Sequence, residues 1–356
     1  YADHTEKSEY YNGGSLTYGS GGAPDNFAGW MMTWNYTEIT SAVVPDWSKV
    51  INSVQREACQ ALGRPWTRMC PTIGVIENTF ADKTNDSRYD GTFTTVYRGN
   101  WVKNPNNANI PFVYNGNNIE VYPGGAILTF LDGEPSISID YSNSTYKSNI
   151  GAGVLPNRAD YVISPRGISR IVYPGLWKLG PYRTDNAGGL GQPNAGSTRP
   201  FNIAKFSELY FIAAEAAVKG ATTKPGKSAR ELINVIRSRA GKWRWHNNGN
   251  VAKVEDHSAE MMAATPPDIT IDYILAERSR EYYGEGYRWY DLVRTQKWTE
   301  LASTYEICGI AKGDHTPKTY TRDIQPYHYL RPIPQGQLDG MEMTPEEKKA
   351  YQNPGY

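Results

Sequence analysis

Beyond residue 203 the apolar residues fall at three- and four-residue steps, and this constrains the fold more than any other feature of the chain. In Ile203–Gly220, Phe206, Leu209, Tyr210, Ala213 and Ala217 share one helical face, and Gly220 closes the helix. After the turn Lys224-Pro225-Gly226 the pattern returns with Ala229, Leu232, Ile233, Ile236 and Ala240, and Gly241 closes it again. A polar insertion (242–267) follows. Ile269–Tyr283 and Tyr287–Leu301 then make a second hairpin, with Gly284 and Gly286 at its bend. A single amphipathic hairpin cannot bury its own apolar face, so such units stack in tetratricopeptide-like arrays. Two hairpins are fewer than such an array needs. Their missing partners are expected in a preceding portion of the protein, or are replaced by the other half of the chain.

That other half, residues 1–200, has a different character. It is full of Gly, Asn, Pro and Tyr, as in NNANIPFVYNGNNIEVYPGG (108–125). The chain holds 34 Gly and 23 Pro, so much of it must be loop. Short β-prone runs occur at Gly91–Tyr97 and Ala126–Leu131. One helix is expected over Pro45–Leu62, where Val50, Val54, Ala58 and Leu62 recur at four-residue steps before Gly63. The expected fold is therefore mainly α: a loop-rich, ligand-binding subdomain over 1–200 carrying a few short strands, and a tetratricopeptide-like helical scaffold with a closing segment over 201–356. The terminal KKAYQNPGY should end in a turn. The opening YADHTEKSEYYNGGS has no apolar signal-peptide core and reads as the interior of a longer protein or a processed product.

Charge excludes some functions. Lys plus Arg and Asp plus Glu are each 37, a balance that argues against nucleic-acid binding and against a polybasic membrane surface. Mean hydropathy is −0.60, and no apolar run is long enough to cross a bilayer as a helix. Cys59, Cys70 and Cys308 form no CxxC pair. Cys59 and Cys70 could close a short loop, but unpaired thiols are the expectation.

No set of residues announces catalysis. The five histidines, at 4, 246, 257, 315 and 328, never stand at helical metal-ligand spacing, so no metal is expected. Gly-rich GSLTYGSGG (14–22) lacks the flanking strand and helix of a phosphate-binding loop, and no cofactor is expected. Glu277 and Glu281 lie one turn apart, and paired carboxylates are what a glycosidase uses. Like charges at that spacing need neutralising. With Arg278, Arg280, Arg288, Asp291 and Arg294 nearby, they read as a buried ionic network between the last two helices.

Aromatic residues remain. There are 26 Tyr and 10 Trp against 8 Phe, an excess of rings suited to surfaces as well as cores. In the loop-rich half they stand among Asn, Gly and Asp, the combination that stacks on a sugar face and hydrogen-bonds its hydroxyls. Within residues 25–185 the expected ligand contacts are Trp101, Trp34, Tyr114 and Trp66, then Trp30, Tyr36 and Tyr122. Trp101 comes first because it follows Arg98-Gly99-Asn100 and precedes a polar loop tip.

The run AERSREYYGEGYRWYDLVR (276–294) fits the pattern E-R-x-x-E-x-x-x-E-G-x-R-W-x-D-L-x-R through Glu277, Arg278, Glu281, Glu285, Gly286, Arg288, Trp289, Asp291, Leu292 and Arg294. FSELYFIAAEAAVKG (206–220), YLRPIPQGQLDG with YQNPGY (329–356), and RPWTRMCPTIGVIENTFADKTNDSRYDGTF (64–93) supply three further motifs, the last with Asn78 where Asp is usual. Together these strongly resemble the SusD/RagB family of surface lipoproteins, which capture nutrients for an outer-membrane transporter. The resemblance implies a tetratricopeptide-like bundle carrying a loop-rich ligand-binding subdomain. It implies a non-enzymatic protein on the Gram-negative cell surface, an oligosaccharide or, in a RagB-like case, peptide ligand, and a SusC-like TonB-dependent transporter as partner. The family's lipid-modified Cys and helical N-terminal stretch are not in this sequence, so the anchor is an inference. The Glu/Arg/Trp signature marks the scaffold and says nothing of the ligand. The rivals are a glycoside hydrolase acting through Glu277 and Glu281, and a pure interaction scaffold.

Overall fold

In the computed structural model of the chain, residues 32–43, 49–57, 62–65, 67, 69–142, 148–178, 202, 204–224 and 226–356 are described. Among the described residues helix outweighs strand, 34% against 18%. The first half is richer in strands than the sequence suggests. Eleven short strands precede residue 200 among the described residues, none longer than five residues.

Two sheets organise that half. Val50–Asn52, Thr40–Val43, Val113–Tyr114 and Glu120–Val121 lie side by side, all antiparallel. Ala126–Phe130 is the centre of a second sheet, antiparallel to Val96–Arg98 and parallel to Tyr161–Ile163. The segment expected as a helix over Pro45–Leu62 is therefore wrong where it is described. Val50–Asn52 is a strand paired with Thr40–Ala42, with Ile51 inward and Val50 outward. A four-residue apolar recurrence also fits alternation by two, and β-branched Val50 and Ile51 favour the pleated surface. The strand expected at Ala126–Leu131 is present, whereas Gly91–Tyr97 splits into the end of a short helix, α1 (Arg88–Thr92), and two strands.

The sheets close over an aromatic core. Tyr97 stacks on Tyr36 at 5.4 Å and meets the Trp34 edge at 5.1 Å. Gly175 lies directly against this core, where a Cβ would collide with the Thr33 and Tyr97 side chains. Gly175→Ala should cost about 1–3 kcal/mol by overpacking, read as a lowered urea midpoint with unchanged slope.

In the second half, α2 (Phe206–Val218) and α3 (Ala229–Ala240) form the first hairpin. Ser228 and Glu231 cap α3 reciprocally, so the chain restarts as helix immediately after the loop. The polar insertion at 242–267 is a β-hairpin (Lys242–His246 with Val251–Asp256) followed by α4 (Ser258–Ala263). Helix α5 (Ile271–Glu281) packs on α2, and Phe211, Ile233, Ile236, Ile274 and Tyr282 share one apolar cluster. Gly284 and Gly286 take φ of 78° and 85°, which turns the chain into α6 (Tyr287–Arg294). The expected single helix to Leu301 is broken at Gln296, φ 58°, and resumes as α7 (Trp298–Ala302). Two short helices, α8 (Gln335–Asp339) and α9 (Pro345–Tyr351), precede the terminal turn.

Candidate functional site

The acidic row on α5 is structural. Glu277 is 0% exposed and takes hydrogen bonds from Arg237 Nη1 (2.7 Å), Arg280 Nε (2.9 Å) and Arg88 Nη2 (3.2 Å). Arg88 comes from α1, where its guanidinium also holds Asp86 at 2.6 Å, so two motifs far apart in sequence meet here. Glu281 pairs with Arg239 at 2.5 Å and faces Arg88 at 3.6 Å. Glu285 takes Lys178 and Lys205. A second cluster joins Arg278 to Asp291 (2.7 Å) and Arg294 to both Asp291 and Glu215. The network thus ties α5 to α2, α3 and the first half, not merely to the next helix.

One expected member is missing from it. Arg288 donates to the Leu275 carbonyl (3.1 Å), and no carboxylate lies within 4.0 Å of it among the described residues. Trp289, from the same signature, is 45% exposed.

The hydrolase rival fails here. Burial alone would raise the Glu277 pKa, but Arg88, Arg280 and Arg237 more than offset it and hold it down at about 2. A glycosidic general acid needs the opposite shift and access to substrate. The same depression sets a pH dependence. A group whose folded pKa lies below its unfolded value stabilises the fold fully above the unfolded pKa. The Glu277 contribution is therefore complete above about pH 4.5 and is lost as pH falls toward 2. Unfolding free energy measured from pH 6 down to pH 2.5 should fall more steeply in the parent than in Glu277→Gln.

The structure divides the aromatic candidates. Trp101, Trp34 and Tyr36 are core residues, 0%, 1% and 0% exposed, and have no face for a ligand. Trp101 Nε1 donates to the Ile110 carbonyl (2.9 Å) and Tyr36 Oη to the Gly63 carbonyl (2.9 Å). A polar local sequence misled here, because residues distant in the chain supply the apolar surroundings of Trp101. Trp30 and Trp66 lie outside the described residues, as does Cys59. Cys70 and Cys308 are free thiols that donate to backbone carbonyls.

Tyr114 and Tyr122 come together. Tyr114 stands opposite Glu120 in the strand register, and Tyr122 follows two residues later on the same side. Both hydroxyls donate to the Glu120 carboxylate, Tyr114 to Oε1 (3.3 Å) and Tyr122 to Oε2 (2.6 Å). Phe112 sits 5.7 Å from each ring. Tyr122 is 55% exposed. The result is a three-ring patch with Tyr122 exposed, Phe112 and Tyr114 half-buried, and Glu120 as the shared acceptor of the two hydroxyls. Phe112 and Glu120 escaped the sequence reading, although Phe112-x-Tyr114 and Glu120-x-Tyr122 alternate by two around Asn115-Gly116-Asn117-Asn118, a hairpin signal.

A concave feature lies where the halves meet. A cavity of about 790 Å³ opens between residues 69–79 and the helices α5 to α7, with Tyr283, Tyr287, Tyr305, Arg288 and Arg322 among its walls. The wall on the first half includes Val75–Thr79, a π-helical turn. No group of three or more His, Cys, Asp or Glu among the described residues is placed to hold a metal. No described helix is long and apolar enough to cross a membrane.

The SusD family model matches residues 8–356. The chain belongs to the SusD family. Similar solved structures include a laminarin-binding SusD-like protein, 24% identical, where the match covers 51% of this chain and 29% of that one with a TM-score of 0.31. Surface glycan-binding protein A from Bacteroides thetaiotaomicron, in complex with laminarihexaose, is 16% identical over 90% of this chain and 50% of its own, TM-score 0.35. A SusD-like protein from Bacteroides fragilis NCTC 9343 is 15% identical over 96% and 53%, TM-score 0.40. The chain thus spans at most about half the length of these proteins. No curated protein matches it.

Proposed function

We propose that this SusD-family chain captures an oligosaccharide at the cell surface and passes it to a TonB-dependent transporter of the SusC type, without making or breaking bonds. The observation that carries the reading is the cluster of exposed Tyr122 with half-buried Phe112 and Tyr114, in which the two tyrosine hydroxyls meet at Glu120. A pyranose can lay its C–H face on such a ring while its hydroxyls donate to the carboxylate. Peptide capture and a pure scaffold role have no comparable feature in their favour. In this reading residues 1–200 form the ligand-binding part and residues 201–356 a tetratricopeptide-like scaffold. A lipid anchor on a preceding segment would hold the protein at the outer membrane. Two or three rings, each adding about 0.5–1.5 kcal/mol beyond area burial, suit the weak affinity that capture and release require.

A mixed glycan and peptide array on the intact protein should yield glycan ligands and no peptides. The same glycans should show no reducing-sugar release on long incubation. Peptide-only binding, or release abolished in Glu281→Gln, would overturn the proposal.

A further inference from the structure

The charges lining the cavity between the halves do not cancel. Among its acidic walls, Asp291 is held by Arg278 and Arg294, and Glu306 faces Arg166 at 3.6 Å. Arg288 and Arg322 line the same space with no carboxylate within 4.0 Å among the described residues. Each spends one hydrogen bond on a backbone carbonyl, of Leu275 and Ala302 respectively, and keeps its other guanidinium donors for something else. Arg322 lies 4.3 Å over the Tyr305 ring, so a guanidinium and an aromatic face stand together in the wall. Asn78, also in the wall, adds a neutral polar group.

A space of this size with tyrosine walls suits a ring-shaped polar ligand. Unpaired guanidinium groups beside it select a negative one, because the planar fork of Arg matches a carboxylate in two hydrogen bonds. We propose that the cavity binds an acidic sugar, a uronic-acid residue whose carboxylate is taken by half-buried Arg288 and exposed Arg322. The inference rests on the glycan-capture reading and adds a ligand class and a second contact region to it. The aromatic patch would hold neutral sugar rings, and the cavity would select for charge.

Saturation-transfer NMR on the full chain tests this with four probes: glucuronate, galacturonate, glucose and inorganic sulfate. Both uronates should saturate with millimolar affinity and glucose should not. Arg322→Gln, at an exposed position that leaves the fold intact, should weaken uronate binding about tenfold, as should Arg288→Gln. Val254→Ala, on an exposed strand that does not line the cavity, should leave uronate binding unchanged. Absent uronate binding, uronate binding that survives both arginine changes, or sulfate that competes as well as the uronates would each overturn the proposal, the last by showing an anion site that does not read the sugar. Neutral glycans alone on the array would also contradict it while leaving the capture reading standing. An array with no glycan hit contradicts the capture reading itself.

Discussion

Glu277→Ala lowers the unfolding free energy by about 3–5 kcal/mol, the cost of stranding buried charge. The carboxylate is wholly enclosed, and Arg88, Arg237 and Arg280 all lean on it. Removing it leaves three guanidinium groups in a low-dielectric pocket with too few acceptors. Part of the cost falls on the junction between the halves, because Arg88 belongs to the first half and also spans toward Glu281. Arg88→Ala should be comparably damaging for the reciprocal reason. Arg288→Ala removes only a hydrogen bond to a carbonyl and should cost under about 1.5 kcal/mol. Guanidinium-chloride unfolding of the three variants checks the order. A Glu277→Ala midpoint within error of the parent would show that the buried cluster does not hold the halves together.

Trp101→Ala is expected to be as severe, about 3–5 kcal/mol, because it empties a large core site. The ring is fully buried, its N–H is satisfied by Ile110, and Gly99 packs so tightly beneath it that any side chain there would collide with the indole. Tyr122→Ala, at an exposed position, should stay within about 0.5 kcal/mol of the parent. Thermal unfolding separates the two. A folded Trp101→Ala protein of unchanged midpoint would return that ring to the list of ligand contacts.

The helical half was largely legible because its information is local. Period and glycine stops lie within a few residues of the helices they define, and α2, α3 and α5 appear where the pattern puts them. Gln296 was missed because a lone non-glycine residue at positive φ leaves no trace in periodicity. The strand-rich half was less legible. Its strands are two to five residues long, too short for alternation to stand out, and their partners come from afar, as when Tyr161–Ile163 joins Ala126–Phe130. The aromatic site shows the same limit. Whether a tryptophan is core or surface depends on what distant segments bring to it, and Trp34 and Trp101 are covered while Tyr122 is not. The acidic row was read correctly as ionic, but its partners Arg88, Arg237 and Arg239 could not be named from α5 alone.

The central claim is that the rings on the Val113–Val121 hairpin hold a glycan. Titration calorimetry of the tightest-binding array glycan into the parent and the Tyr114→Ala/Tyr122→Ala double variant tests it most directly. The account predicts a variant with an unchanged unfolding midpoint whose affinity falls by on the order of tenfold or more, since two stacking faces and both hydroxyl contacts to Glu120 are gone. A folded double variant that binds the glycan as tightly as the parent would contradict it.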